Sequence, residues 1–181
     1  MRASVVVQLK CTEMIKPKTY LFEDDGVIPN NPLLPLLYYP KAIELNKTNP
    51  AKNFEVLFVS NEWNGTWRNG IYPFPHYHAE AHEVLGIYSG TAKIQLGGSK
   101  GIITEVESGD VIVIPAGVGH ENLESSTNLG VVGAYPLGQA PDVQNGNPCE
   151  RKWVLDSIAK VSLPSADPVY GPKGPLLSHW K

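Results

Sequence analysis

The sequence predicts an all-β fold, a sandwich or barrel of short strands with one or two short helices attached. Two features of residues 71–135 point to it: short β-type runs at 83–88, 91–96, 102–106, 111–114 and 130–135, and glycine-containing breaks between them at Ser89-Gly90, Gly97-Gly98, Ser108-Gly109 and Ala116-Gly117. A third is turn chemistry: 17 Gly and 16 Pro in 181 residues supply more chain reversals than a helical protein needs. Hydrophobic residues make up 42% and charged residues 18%, enough apolar matter for a core and too much for a disordered chain. The length suits a single domain, 1–181, divided into an N-terminal arm (1–49), a helix and barrel core (50–140), and a C-terminal helix and tail (141–181).

The arm comes first. Pro17, Pro29, Pro32, Pro35 and Pro40 remove backbone N–H groups at a density that prevents helix and confines any strand to a sheet edge. It carries Leu33, Leu34, Leu36, Leu37, Tyr38 and Tyr39, an apolar run that must be covered by its own barrel or by a partner subunit. Since a symmetric dimer is the commonest cover, a homodimer is expected. A short helix is predicted at 50–60, where Asn49 caps, Pro50 takes the first position, and Phe54, Leu57, Phe58 and Asn61 follow at helical spacing. Alternation of Phe54, Val56 and Phe58 leaves a strand as the alternative. A second helix is predicted at 148–160, from the Asn147 cap, Pro148, Glu150 and the stripe Val154, Ile158, Val161. Beyond it, Leu176, Leu177 and Trp180 imply a tail that packs back on the body.

Several function classes are excluded. Fifteen Lys and Arg against eighteen Asp and Glu give a formal charge of −3, with no basic stripe for a nucleic-acid backbone. Neither a signal-type apolar segment nor a membrane-spanning one occurs, so no membrane partner and a cytoplasmic location are expected. Cys11 and Cys149 have no metal-type spacing and read as free thiols. The stretch Gly86-Ile87-Tyr88-Ser89-Gly90 lacks the central serine of a nucleophile elbow, and no other Ser or Cys sits in a nucleophile motif.

What remains is a concentration of histidine. Of five in the chain, His76, His78 and His120 share one pattern with Glu83. On a strand, residues i and i+2 face one side, so His76 and His78 can grip one ion together. Four residues, about a hairpin turn, separate them from Glu83, which can return beside them on the next strand. The tight turn Pro115-Ala116-Gly117-Val118-Gly119 then swings His120 in. Three imidazole nitrogens and one carboxylate oxygen suit Mn, Fe, Co or Ni, with Zn also possible.

The glycine frame around these residues resembles the two signature motifs of the cupin superfamily. Gly70, His76, His78, Glu83 and Gly90 match the first, and Gly109, Pro115, Gly117 and His120 the second. The resemblance implies a double-stranded β-helix, or jelly-roll barrel, with His76, His78, Glu83 and His120 as ligands to one divalent transition metal inside. One departure is that Glu124 stands where the second motif usually ends in Asn, while Asn122 lies two residues earlier. The segments His82–Gly86, Val132-Gly133-Ala134-Tyr135-Pro136 and Asp167-Pro168-Val169-Tyr170-Gly171 are similar to a single-domain cupin family of unassigned activity. Spacing around Glu83 is also similar to acireductone dioxygenases, which carry a basic residue shortly after their glutamate where this chain has Val84 and Leu85.

The expected function is a metal-dependent enzyme of dioxygenase, isomerase or decarboxylase type, acting on a small oxygenated organic ligand. The alternative is a non-catalytic binding or sensor barrel. Leu85, Ile87, Tyr72 and Phe74 should line a mostly apolar cavity, and Asn122, Tyr72 and Tyr135 are the candidate catalytic side chains. His82, next to Glu83, should point away from the metal, to the surface or a dimer contact. Trp63, Trp67 and Trp180 read as packing residues or as caps on the barrel.

Overall fold

The computed structural model describes residues 14–181. Nine strands follow in chain order: β1 (Lys18–Tyr20), β2 (Leu36–Tyr39), β3 (Trp63–Asn69), β4 (Glu83–Ser89), β5 (Thr91–Leu96), β6 (Ile102–Glu107), β7 (Val111–Ile114), β8 (His120–Ser125) and β9 (Gly130–Pro136). They form a six-stranded sheet, ordered β1-β2-β7-β4-β9-β3, and a three-stranded sheet, ordered β6-β5-β8, with every pairing antiparallel. This is the jelly-roll barrel that the motifs imply. All five predicted strands are present; β1, β2, β3 and β8 are additional.

Period-two alternation builds two apolar layers from one sheet. Leu85, Ile87, Ile112, Ile114 and Val131 cluster with Ala92, Ile94 and Leu96 of β5, filling the barrel between the sheets. Their neighbours Val84, Val111, Val113, Val132 and Ala134 pack the opposite face, against Phe54 and Phe58 and against Trp180 of the tail. Phe54 and Phe58 belong to α1 (Pro50–Ser60), whose bounds match the predicted helix; Asn49 Oδ1 accepts from the Lys52 N–H at 3.3 Å. The second predicted helix begins as a 3₁₀ turn at Pro148–Glu150 and continues as α2 (Arg151–Ile158). The tail closes with α3 (Leu176–His179) and packs on the body through buried Leu176 and Trp180.

Two expectations about the arm change. Leu36–Tyr39 lies inside the sheet, between β1 and β7, because Pro35 and Pro40 bracket the run and leave its own N–H groups free to pair. Its apolar side chains are buried by their own chain: Leu34, Leu36, Leu37, Tyr38 and Tyr39 are covered, and only Leu33, at 79% exposure, faces out. The need to cover this run therefore gives no reason for a second subunit. Among the described residues no helix is long and apolar enough to cross a membrane. Cys149 is a free, exposed thiol, while Cys11 lies outside the described residues.

Candidate metal site

Backbone pairing brings the histidines together. The N–H groups of His76 and His120 donate to each other's carbonyls at 3.2 and 2.9 Å, and Tyr77 makes the same exchange with Gln144 at 3.0 and 2.9 Å. Tyr77 sends its ring into a cluster with Ile28, Ala116, Val154 and Ile158, so His76 and His78 are left on the other side. Glu83 opens β4 opposite Ile114 of β7. It arrives beside the histidines as expected, although not by a hairpin, since the 76–78 segment pairs with His120 and Gln144 and β4 pairs elsewhere. The turn before His120 depends on Gly117 at φ +90°, where a Cβ would sit 2.6 Å from the Asn30 carbonyl oxygen.

One ring nitrogen from each of His76, His78 and His120 lies within 4.8 Å of the other two, and all three residues are buried. Glu83 joins through Oε2, which is 3.3 Å from His78 Nε2 and 3.2 Å from His120 Nε2. On each ring the other nitrogen, Nδ1, faces a backbone carbonyl: Phe74 at 3.1 Å for His76, Val118 at 3.3 Å for His120, and Asp142 for His78. A carbonyl only accepts, so Nδ1 carries the proton and the neutral ring keeps its Nε2 lone pair. The Nε2 lone pairs of His78 and His120 thus meet a carboxylate oxygen with no N–H between them. Such a set is at rest only with a shared cation, whether a proton on His78 or a metal ion held by all the donors.

The electrostatics agree. Burial, reinforced by the neighbouring His120, pushes the His76 imidazole down to about 3, which keeps it neutral. Burial would also lower His78, but the Glu83 carboxylate and the Asp142 carbonyl outweigh it and raise this ring. For Glu83 burial favours the acid, yet His78 and His120 together hold the carboxyl well below the usual carboxylate range. The donor set and its tautomers fit a divalent transition ion.

The four side chains sit at the floor of a cavity of about 370 Å³ walled by Trp67, Ile71, Tyr72, Leu85, Tyr135 and Val143. Tyr72 stacks on Phe74 with centroids 5.0 Å apart and meets the His76 ring edge-on at 5.1 Å. The Tyr135 hydroxyl accepts from Trp67 Nε1 at 2.8 Å, and burial together with the charge of the Glu83 carboxylate raises its pKa. Trp67 is therefore polar machinery as well as packing, and it lies so close over β9 that a Cβ on Gly133 would be 2.1 Å from its ring. Asn122 is not brought to the cavity. Strand β8 keeps its register from His120 to Asn122 and bulges only at Leu123, so Asn122 stays on the His120 face, but its amide donates to Ser125 Oγ at 3.0 Å and the side chain does not line the cavity.

Three features lay beyond sequence reasoning. Asp142 accepts from the Ala79 and Glu80 N–H groups at 2.8 and 2.9 Å, and its own carbonyl orients His78. His82 is fully buried, at neither the surface nor an exposed contact: Nδ1 accepts from the Ala116 N–H at 2.9 Å, and its ring lies 4.6 Å from Trp180. It does point away from the candidate site, and it ties the start of β4 to the turn that delivers His120. Asn30 and Asn31 fasten the same turn from the arm, Asn30 Oδ1 accepting from the Gly119 N–H at 3.2 Å and Asn31 Nδ2 donating to the Ala116 carbonyl at 3.0 Å. Their place between Pro29 and Pro32 of the arm was the available signal for these two.

Comparison with known proteins agrees with this architecture. The cupin family model matches residues 42–134. The uncharacterized protein YjlB of Bacillus subtilis is 43% identical over 163 residues, covering 90% of this chain and 96% of its own. Among solved structures, the acireductone dioxygenase of Bacillus anthracis, with a cadmium ion in its active centre, is 16% identical at a TM-score of 0.40, over 59% of this chain and 82% of that one. The 11S globulin of Wrightia tinctoria is 18% identical at a TM-score of 0.38, over 44% of this chain, which spans only 22% of the globulin. The match to the family model and the extended identity with YjlB place this chain in the cupin family.

Proposed function

We propose that this cupin is a metal-dependent enzyme for a small oxygenated organic molecule, with His76, His78, Glu83 and His120 holding one divalent transition ion. The observation that carries the reading is the tautomer pattern: three backbone carbonyls fix Nδ1–H on three buried rings and leave their Nε2 lone pairs for one shared partner beside Glu83. Mn, Fe, Co and Ni suit this set best, and Zn is compatible. Bound there, such an ion supplies a Lewis acid for a carbonyl or enolate oxygen or, if redox-active, a site for dioxygen chemistry. Dioxygenase, isomerase and decarboxylase reactions are all compatible with it.

The chain's own residues prepare the site. Tyr135, held by Trp67, keeps its hydroxyl proton in the field of the Glu83 carboxylate and lines the cavity beside it. Trp67, Ile71 and Leu85 keep water from the cavity wall, which strengthens each charge interaction inside it. Tyr72 stands where it meets both an entering ligand and the His76 ring.

Elemental analysis of protein purified without added metal should find about one divalent ion per chain, lost on chelation. Mn-, Fe- and Ni-loaded samples are then screened against small keto, enol and hydroxy compounds, following oxygen and product. Absence of metal together with failed reconstitution refutes the site. A compound that binds every loaded form at micromolar affinity and is never turned over replaces the enzyme with a binding or sensor barrel.

A further inference from the structure

We infer, on the reading that the four side chains hold a divalent ion, that the ligand is a flat, largely apolar molecule with no charge beyond its metal-binding oxygens. Three neutral imidazoles and one carboxylate leave a divalent ion with one net positive charge, which one anionic oxygen of a ligand neutralises. A second anionic group, farther along the ligand, would need its own cation, and the one the cavity wall carries is already paired. Arg68 is the one wall residue with a permanent positive charge, and its Nε is bound to Glu55 Oε1 at 2.6 Å on the helix side of the sheet. Strand alternation explains this: Trp67 turns into the barrel with the inner apolar cluster, so its neighbour Arg68 turns out toward α1. A distal carboxylate or phosphate in this cavity would be desolvated with no partner.

Tyr72 and Phe74 lie nearly parallel, 14° apart, yet remain 46% and 44% exposed, so the Tyr72 ring borders the site, stacked on Phe74, which stands outside the cavity. Trp67 has already given its N–H to Tyr135, which leaves its ring as apolar wall. A cavity of about 370 Å³ holds a molecule of one or two rings. The geometry thus favours a planar body against Tyr72, with its oxygen pair at the histidines.

Two probes of one shape test this: 4-methylcatechol and 3,4-dihydroxybenzoate share the chelating oxygens and differ in a distal methyl or carboxylate. Isothermal titration on the fully Co(II)-loaded protein should find 4-methylcatechol bound at least ~10-fold more tightly, the loss being that of a buried unpaired charge. Val143, 55% exposed at the rim, offers a variant that does not disturb the core: Val143→Arg should close at least half of that gap, on a logarithmic scale, at unchanged metal content. Tyr72→Ala should weaken 4-methylcatechol by roughly 5-fold or more and leave acetohydroxamate, a chelator without a ring, within about 2-fold. Equal or tighter binding of the carboxylate by loaded protein overturns the inference, as does loaded protein that binds neither probe. Metal content is measured on the same samples. A protein that takes up no metal is thereby distinguished: it refutes the proposed site and this inference with it.

Discussion

Replacing His82 with alanine tests the link between the barrel and the site. The wild-type ring is fully buried, accepts the Ala116 N–H at 2.9 Å and packs 4.6 Å from Trp180. Removing the acceptor leaves a buried N–H unpaired, a cost of about 1–3 kcal/mol. Loss of the ring contact adds roughly 0.5–1.5 kcal/mol, and the void left by the ring adds to that. A partial credit offsets them, because Nε2 is itself buried without a full hydrogen bond in the wild type. The net expectation is a loss of roughly 2–4 kcal/mol, or about 4–16 °C in Tm for a chain of this length. Urea unfolding followed by circular dichroism should show the midpoint falling at unchanged m-value. His82→Asn, which returns an acceptor near the position of Nδ1, should recover about 1 kcal/mol or more. If His82→Ala costs less than about 0.5 kcal/mol, or His82→Asn recovers nothing, the Ala116 bond does not hold the turn and the argument fails.

The remaining predictions concern the tyrosine relay and acid. Gly133→Ala places a Cβ 2.1 Å from the Trp67 ring, so the indole must shift and release Tyr135; metal affinity of the folded variant should fall about 10-fold or more, read by competition with a chelator, and an unchanged affinity would separate Tyr135 from the positioning of Glu83. Acid should destabilise the metal-free protein through His82, whose pKa burial lowers from 6.5 to about 4 against a smaller opposing effect of the Ser162 carbonyl. The unfolded chain protonates this ring first, so its contribution is intact above about pH 6.5 and declines toward pH 4, by roughly 3 kcal/mol at most. Stability measured at pH 7 and pH 5 in wild type and His82→Ala isolates that share; equal slopes in the two proteins would contradict it.

Much of the site was legible because its chemistry is local. His76 and His78 share a face through strand alternation, and the Pro115–His120 turn announces itself in its glycines. Helix α1 was equally readable, since Asn49, Pro50 and the Phe54, Leu57, Phe58 stripe all lie within a dozen residues. Strand β3 was harder to see: Trp63–Asn69 is mostly polar or half-exposed, and β9 and α1 rather than its own pattern hold it in place. Asn122 shows the limit of alternation: it keeps the His120 face of β8, yet a local bond to the Ser125 hydroxyl, which alternation does not reveal, holds its amide away from the cavity.

The sequence by itself determined which donor atoms the candidate site offers: three imidazoles and a carboxylate, in a frame of glycines that only certain turns accept. Tertiary structure alone decided what state those atoms are in. The carbonyl that fixes the His78 tautomer belongs to Asp142, 64 residues away, and the acceptor that holds the Ala116 N–H is on His82, 34 residues before it. Whether the arm lay on its own barrel, and whether Arg68 faced the cavity or α1, depended equally on distant partners. A residue's own type and spacing set its donors, acceptors and period. Which partner meets them is set by chain closure over tens of residues, and only the packed barrel specifies that.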